Sequence, residues 1–442
     1  MSNNTSIQMV TTLVEIVAFL PIGTNLALLH LLWAMVSGQF LVSRGAIFSA
    51  LVNMGLSNSQ VRRAWQAFYR GGWCIGELLV RWETIVMRKD KWKARYHGGY
   101  CALAVDLTGF WRPTLKNCPS THYHHGAGKA LPAIVLGLIG RVGQIDTQRL
   151  ALPLAIERLT EESPDEVSLM KRLVGIAKKI MTALDVLVLD GGFSLAELQE
   201  QQIERYVVKV AKNFTARRSV PAKYKEKGRR PERGEIVRPL ARTYREKTLE
   251  ATPPDRTVTW QDEQGMELKA QVWDNLVLTN TPASEFAAAS KGKAELPTFK
   301  VMAFFDPKFA SPLLVATTLK IEEKYVRLLY LDRWAIEQIP LAAKQMVGAE
   351  QSFVSEPESC QRLPELGLLT GSILSFEAAQ LPPIPTGFWD KKPRSTPGRL
   401  RRILYKLGFP SEMELPAQIR QKASVTNHLP KGFWGQKGSS TP

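Results

Sequence analysis

The chain opens on an uncharged block: residues 16–43 contain no Asp, Glu, Lys or Arg, and residues 16–36 are strongly apolar. Pro21, Gly23, Asn25 and His30 interrupt this run. It therefore reads as two buried helices broken near residues 21–24, with a membrane span as the alternative. Residues 46–54 and 59–69 follow at helical spacing around Gly55-Leu56-Ser57-Asn58. The glycine can make the turn, and Ser57 or Asn58 can cap the second helix. This is the outline of a helix-turn-helix, with Gln60, Arg62, Arg63 and Gln66 as candidates to meet DNA. Residues 73–92 continue helical.

From Tyr100 the runs shorten. Residues 100–106 form an apolar stretch ending on Asp106, which predicts a buried strand with a carboxylate at the sheet edge. Residues 107–113 read as a turn, 122–129 as a polar loop with three histidines, and 131–139 as a further strand. Residues 147–161 and 165–184 predict helices. Residues 185–190 then repeat the earlier pattern, an apolar strand closing on Asp190 with Gly191 and Gly192 behind it. Residues 205–212 read as a strand, and alternation returns at 257–261, 267–273 and 275–279, which makes 213–297 a β-rich insertion. Strands at 299–305 and 313–317 lead to a helix over 330–344. Past Val354 the chain turns Pro-rich and then basic.

Charge sharpens this picture. The net charge is +17, and it is local: residues 205–247 hold 15 Lys and Arg against 4 Glu, and residues 391–437 hold 11 against 2. The remainder is slightly acidic, so the excess belongs to two segments suited to a polyanion such as nucleic acid. The four cysteines, Cys74, Cys101, Cys118 and Cys360, form no C-x-x-C pair and read as reduced thiols. No basic segment precedes the first apolar run, as a secretory signal would require. The histidines near 122–125 have no evident fourth ligand, and a loop near substrate is the simpler reading.

The densest chemistry lies in the helix over 330–344. At about 100° per residue, Tyr330, Arg333, Glu337 and Lys344 fall within roughly 60° of one another on one face. A phenol, a guanidinium, a carboxylate and an ammonium on one ridge can hold a metal ion and grip phosphate oxygens around it. The spacing Y-x2-R-x3-E-x6-K, with Gln345 and Gly348 following, resembles the signature of bacterial insertion-sequence transposases of the DDE class.

The resemblance covers mainly residues 100–350. It implies an α/β fold with an RNase H-like mixed-sheet core in two parts, 96–212 and 298–355, interrupted by the basic insertion 213–297. Outside the resemblance, the residue pattern alone makes 1–95 an N-terminal helical region with a possible DNA-binding helix-turn-helix, and 356–442 a Pro-rich basic C-terminal region. Implied for the site are Asp106, Asp190 and Glu337 as catalytic acids holding two Mg²⁺ or Mn²⁺ ions. Tyr330, Arg333 and Lys344 would hold phosphates; from the basic stretch, Arg217, Arg218, Arg229 and Arg230 are candidates for a wider DNA track, and from the helix-turn-helix outline, Arg62 and Arg63. The implied reaction is cleavage at the ends of a mobile element and joining of the freed 3′ ends to target DNA. Partners would be double-stranded DNA and a second copy of the chain, in the cytoplasm on the nucleoid. Family members often hold a flipped base on an aromatic of the insertion, a role open to Trp260 or Trp273, although each also suits cross-strand packing. One departure is Pro340, three residues after Glu337, which is expected to kink the helix and puts most strain on the placing of Lys344. An inactive DNA-binding regulator and a nuclease that cuts without joining are the alternatives.

The tail repeats itself. Pro385-Thr-Gly-Phe-Trp389-Asp-Lys-Lys392-Pro-Arg-Ser395-Thr-Pro397 recurs as Pro430-Lys-Gly-Phe-Trp434-Gly-Gln-Lys437-Gly-Ser-Ser440-Thr-Pro442. An exposed aromatic beside lysines suits DNA or a neighbouring subunit. Residues 399–406 between the copies read as a basic helix.

Overall fold

The structure, a computed structural model, describes residues 2–221, 224, 231–351, 353–410 and 412–420. Arg229, Arg230 and the second copy of the tail repeat lie outside the described residues. The chain forms a mixed α/β structure in two compact units, one made of residues 1–88 with 342–442, the other of residues 89–341.

The unit 89–341 is built on one mixed sheet. Strand Tyr100–Trp111 runs antiparallel to Lys129–Ile145 on one side and parallel to Asp185–Leu189 on the other. Gln148–Arg158 lies antiparallel outside Lys129–Ile145, and Tyr206–Lys209 lies parallel beside Asp185–Leu189. The sheet does not stop there. It continues through the antiparallel strands Leu313–Thr317, Phe299–Phe305 and Glu267–Leu278, then Ala216–Arg218 and Ile236–Val237. Arg256–Gln261 also pairs with Glu267–Leu278. The β-rich insertion is therefore an extension of the same hydrogen-bonded sheet.

Leu103, Val105, Leu187 and Leu189 alternate onto one face and pack with Leu169 and Leu173 of helix Glu166–Ile180. Asp165 starts that helix, its carboxylate accepting from Ser168 N at 2.8 Å. Gly137 lets the helix approach: a Cβ there would stand 2.4 Å from Leu173 Cδ1.

Three sequence expectations for this unit are corrected. Residues 148–158 are a strand instead of a helix. Leu150, Ala151, Leu152, Leu154, Ala155 and Ile156 have no clean period of two, because Pro153 sits at the register shift opposite Gly140. The expected turn after Asp106 is a continuation of the strand to Trp111. Gly109 within it admits His122, whose Cδ2 would stand 2.6 Å from an added Cβ. The expected loop at 122–129 begins as strand Thr121–His124.

The other unit is helical among its described residues. Helices Ser2–Val17 and Thr24–Val36 break where Pro21 and Gly23 fall, Gly23 taking φ of 89°. Eleven residues of Thr24–Val36 are buried, which accounts for its apolarity without lipid. No helix among the described residues is long and apolar enough to cross a membrane. Ile47–Asn53 and Asn58–Arg70 form a helical hairpin, with Ser57 and Gln60 making a reciprocal capping box. Where the sequence suggests a Pro-rich tail from residue 356, the chain forms the buried helix Pro357–Ala379, with Pro357 in its first turn. Pro364 lies inside that helix.

Candidate active site

Asp106 and Asp190 meet because their strands are parallel neighbours. Val105 pairs with Leu189, and the next residue on each chain is an aspartate. Val105 joins the core with helix Glu166–Ile180, so Asp106 alternates to the opposite face. That face receives helices Glu323–Asp332 and Trp334–Ala342. Ile336 anchors the second of them: it is fully buried, and its Cδ1 fills the space that a Cβ at Gly140 would need, 2.6 Å away.

The backbone between the two helices is held from below. Asp332 is 1 % exposed and paired with Arg95 at 3.2 Å, Arg149 at 3.2 Å and His97 Nε2 at 3.0 Å. Arg149 also donates to the Leu331 carbonyl at 2.7 Å. Sequence reasoning missed this cluster, because its cations come from residues 95–149 and nothing local marks them as partners of Asp332.

Arg333 is the centre of the site. Its Nη2 donates to Glu337 Oε1 at 2.6 Å, and its Nη1 stands 3.8 Å from Asp106 Oδ2. Its guanidinium carbon lies 5.8 Å from the centre of the Tyr330 ring. The Tyr330 hydroxyl donates to Asp190 Oδ1 at 3.3 Å, and Lys209 Nζ lies 3.4 Å from the same oxygen. Five of the residues expected from sequence are thus brought together: Asp106, Asp190, Glu337, Tyr330 and Arg333. Lys209 was not foreseen, although it lies on the strand expected at 205–212.

The charges respond to these neighbours. Burial pushes the Asp106 carboxyl up to about 7, with Glu337 and Asp190 adding to the rise and Arg333 and the Leu107 N–H opposing it. Burial works the same way on Asp190, but Arg333, the Gly191 N–H and Lys209 outweigh it and hold this carboxyl below its ordinary value. Burial, then Asp190, raises the Tyr330 phenol, which stays protonated as a donor. Among the described residues no group of three His, Cys, Asp or Glu side chains stands close enough to hold a metal ion. The Arg333 guanidinium, not a carboxylate, links Asp106 to Glu337.

Beside Tyr330 opens a cavity of 460 Å³, lined among others by Lys209, Lys212, Phe304, Phe309 and Arg327. Phe309 is 64 % exposed. Trp273, by contrast, is fully buried with its indole N–H donating to the Thr252 carbonyl at 3.0 Å, and Trp260 packs edge-on to Phe304.

The remaining expected residues lie elsewhere. Lys344 falls beyond Leu341, in the π-helical turn Ala343–Val347 of the helical unit. Arg217 donates to the Thr279 and Gly234 carbonyls, and Arg218 pairs with Asp255 at 2.6 Å. Arg62 is exposed and Arg63 half-buried on helix Asn58–Arg70. Of the histidines, His122 pairs with Glu166 at 2.7 Å and His124 accepts from Ala127 N. No protein-family model and no curated protein sequence matches the chain, so the site's own chemistry carries the functional reading.

Proposed function

We propose that the chain is a DDE transposase that binds the ends of an insertion sequence, cleaves them and joins the 3′ ends to target DNA. The observation that carries this reading is the convergence of Asp106 and Asp190, on adjacent parallel strands, with Tyr330, Arg333 and Glu337 from one helical segment. The strand order supports an RNase H-like core: three antiparallel strands, 148–158, 129–145 and 100–111, followed by two parallel ones, 185–189 and 206–209.

By its chemistry the donor set suits Mg²⁺ or Mn²⁺, since all three acids offer hard carboxylate oxygens and half-buried Asp106 lies near two like charges, while Arg333 occupies the space between them. Two bound ions would activate a water or 3′-hydroxyl and stabilise the leaving oxygen. Asp106, Asp190 and Glu337 would hold them. Arg333, already charged and desolvated beside these acids, turns its fork to the scissile phosphate when DNA enters. The Tyr330 hydroxyl and Lys209 donate to flanking phosphate oxygens. Phe309, exposed on the cavity beside Tyr330, replaces Trp260 and Trp273 as the aromatic suited to hold a flipped base. Two element ends require two such sites, so the working form is a homodimer on double-stranded DNA.

The test compares native protein with Glu337→Gln on DNA carrying the flanking terminal repeats, with Mg²⁺ present. Joined products from native protein alone are expected. Cutting without joining would make the chain a nuclease, and tight end binding with neither activity would make it a regulator.

A further inference from the structure

The tail motif Gly387-Phe388-Trp389 has no part in the reading above, yet its geometry is specific. Phe388 is 99 % exposed and Trp389 67 %, with ring centres 5.1 Å apart and planes at 78°. The turn that carries them is fixed. Asp390 accepts from the Thr386 backbone N–H and hydroxyl at 3.1 Å each and pairs with Arg399 at 2.7 Å. Arg399 also donates to the Ile384 carbonyl, and the Ser395 hydroxyl donates to the Leu381 and Pro382 carbonyls. Gly387 lets the Trp389 ring fold back over the turn, where an added Cβ would lie 2.5 Å from it and displace it. The three residues form one unit, and the same Gly-Phe-Trp recurs at 432–434.

Anchoring a turn in order to present two aromatic rings to water costs hydrophobic stabilisation, and a ligand offsets that cost. The surroundings identify its class. Residues 385–406 hold seven Lys and Arg and one acid, Asp390, which Arg399 already neutralises. Lys391, Lys392 and Arg394, which follow the rings in sequence, are exposed. Protein-binding patches are depleted of lysine at their centre, whereas aromatics interleaved with cations are what a single-stranded nucleic acid requires: π-faces for unpaired bases and charges for the phosphates between them.

We infer that the Gly387–Phe388–Trp389 turn is a stacking platform for unpaired bases of single-stranded DNA, with Lys391, Lys392 and Arg394 on the adjoining phosphates. It does not rest on the transposase assignment. The second copy, lacking an acid at the position of Asp390, repeats the stacking residues without the anchor.

The test uses the full chain and a labelled oligothymidylate, measuring anisotropy over a salt series, for native protein, Phe388→Ala/Trp389→Ala, and that pair combined with Phe433→Ala/Trp434→Ala. Loss of one stacked base predicts about a ten-fold weaker affinity for the first variant with unchanged salt slope. Lys391→Gln/Lys392→Gln should instead flatten the slope by roughly 1.4. Both rings are exposed, so the circular dichroism and melting of the aromatic variants should match native protein. The inference falls if the four-residue variant binds oligothymidylate as native protein does. It also falls if that variant loses only self-association in sedimentation, which would make the turn a protein contact. Cleavage of duplex ends, scored separately, reports on the transposase reading alone.

Discussion

At the scale of single residues, the geometry of the candidate site depends on a buried charge beneath it, that of Asp332. Asp332 takes two guanidiniums and an imidazole, and so fixes the backbone one residue before Arg333. Asp332→Ala leaves Arg95 and Arg149 without a counter-charge, and removing one member of a buried pair costs about 3 kcal/mol. Urea unfolding should report that loss, and end cleavage should fall further than end binding, because Arg333 and Glu337 lose their alignment. His30 sets a second residue-scale behaviour. Burial lowers its imidazole to about 4, and its ring lies edge-on to Phe409. Unfolded, the same ring titrates near 6.5, so between these values the unfolded state binds more protons. Stability is complete above about pH 6.5 and is lost as pH falls toward 4, by about 3 kcal/mol for this group. His30→Phe should flatten the difference in urea midpoint between pH 7 and pH 4.5; an unchanged difference would exonerate His30.

At the scale of elements, glycines decide how closely helices approach the sheet. Gly140 opposes Ala104 on the Asp106 strand and receives Ile336, the residue before Glu337. Gly140→Val is expected to cost about 1–3 kcal/mol through overpacking and to lift the Glu337 helix off the strand. Thermal melts would read the first effect. A drop in cleavage beyond that explained by unfolded protein would read the second. The same elements show what the sequence discloses. The Asp106 and Asp190 strands were legible because each apolar run stops on an acid, and the Tyr330–Arg333–Glu337 spacing because helical periodicity groups all three, although the expected single helix over 330–344 is two helices that meet at Arg333. Residues 148–158 were not, since Pro153 at a register shift breaks the alternation that marks a strand. Helix Pro357–Ala379 was obscured by Pro357 and Pro364, one starting the helix and one inside it. Lys209 and the Asp332 cluster depend on pairings between distant segments, which spacing along the chain cannot express.

At the scale of the molecule, the charge is partitioned. The cations of 205–247 and 391–437 exceed the net charge of the chain, so binding to duplex DNA should be dominated by counterion release. With six or more phosphates neutralised, affinity should fall about a thousandfold between 50 and 200 mM salt. A flat salt dependence would show that these segments do not carry the DNA.

The continuity of the sheet also has a consequence for synthesis. The ribosome releases the strands of Asp106 and Asp190 early, while Tyr206–Lys209 is still a bare edge awaiting Leu313–Thr317. An uncovered edge invites pairing with another nascent chain, and the exposure lasts until the whole insertion has emerged. Glu337 follows that covering strand directly. The cluster of Asp106, Asp190 and Glu337 is therefore completed only after the nascent chain has closed this exposed edge.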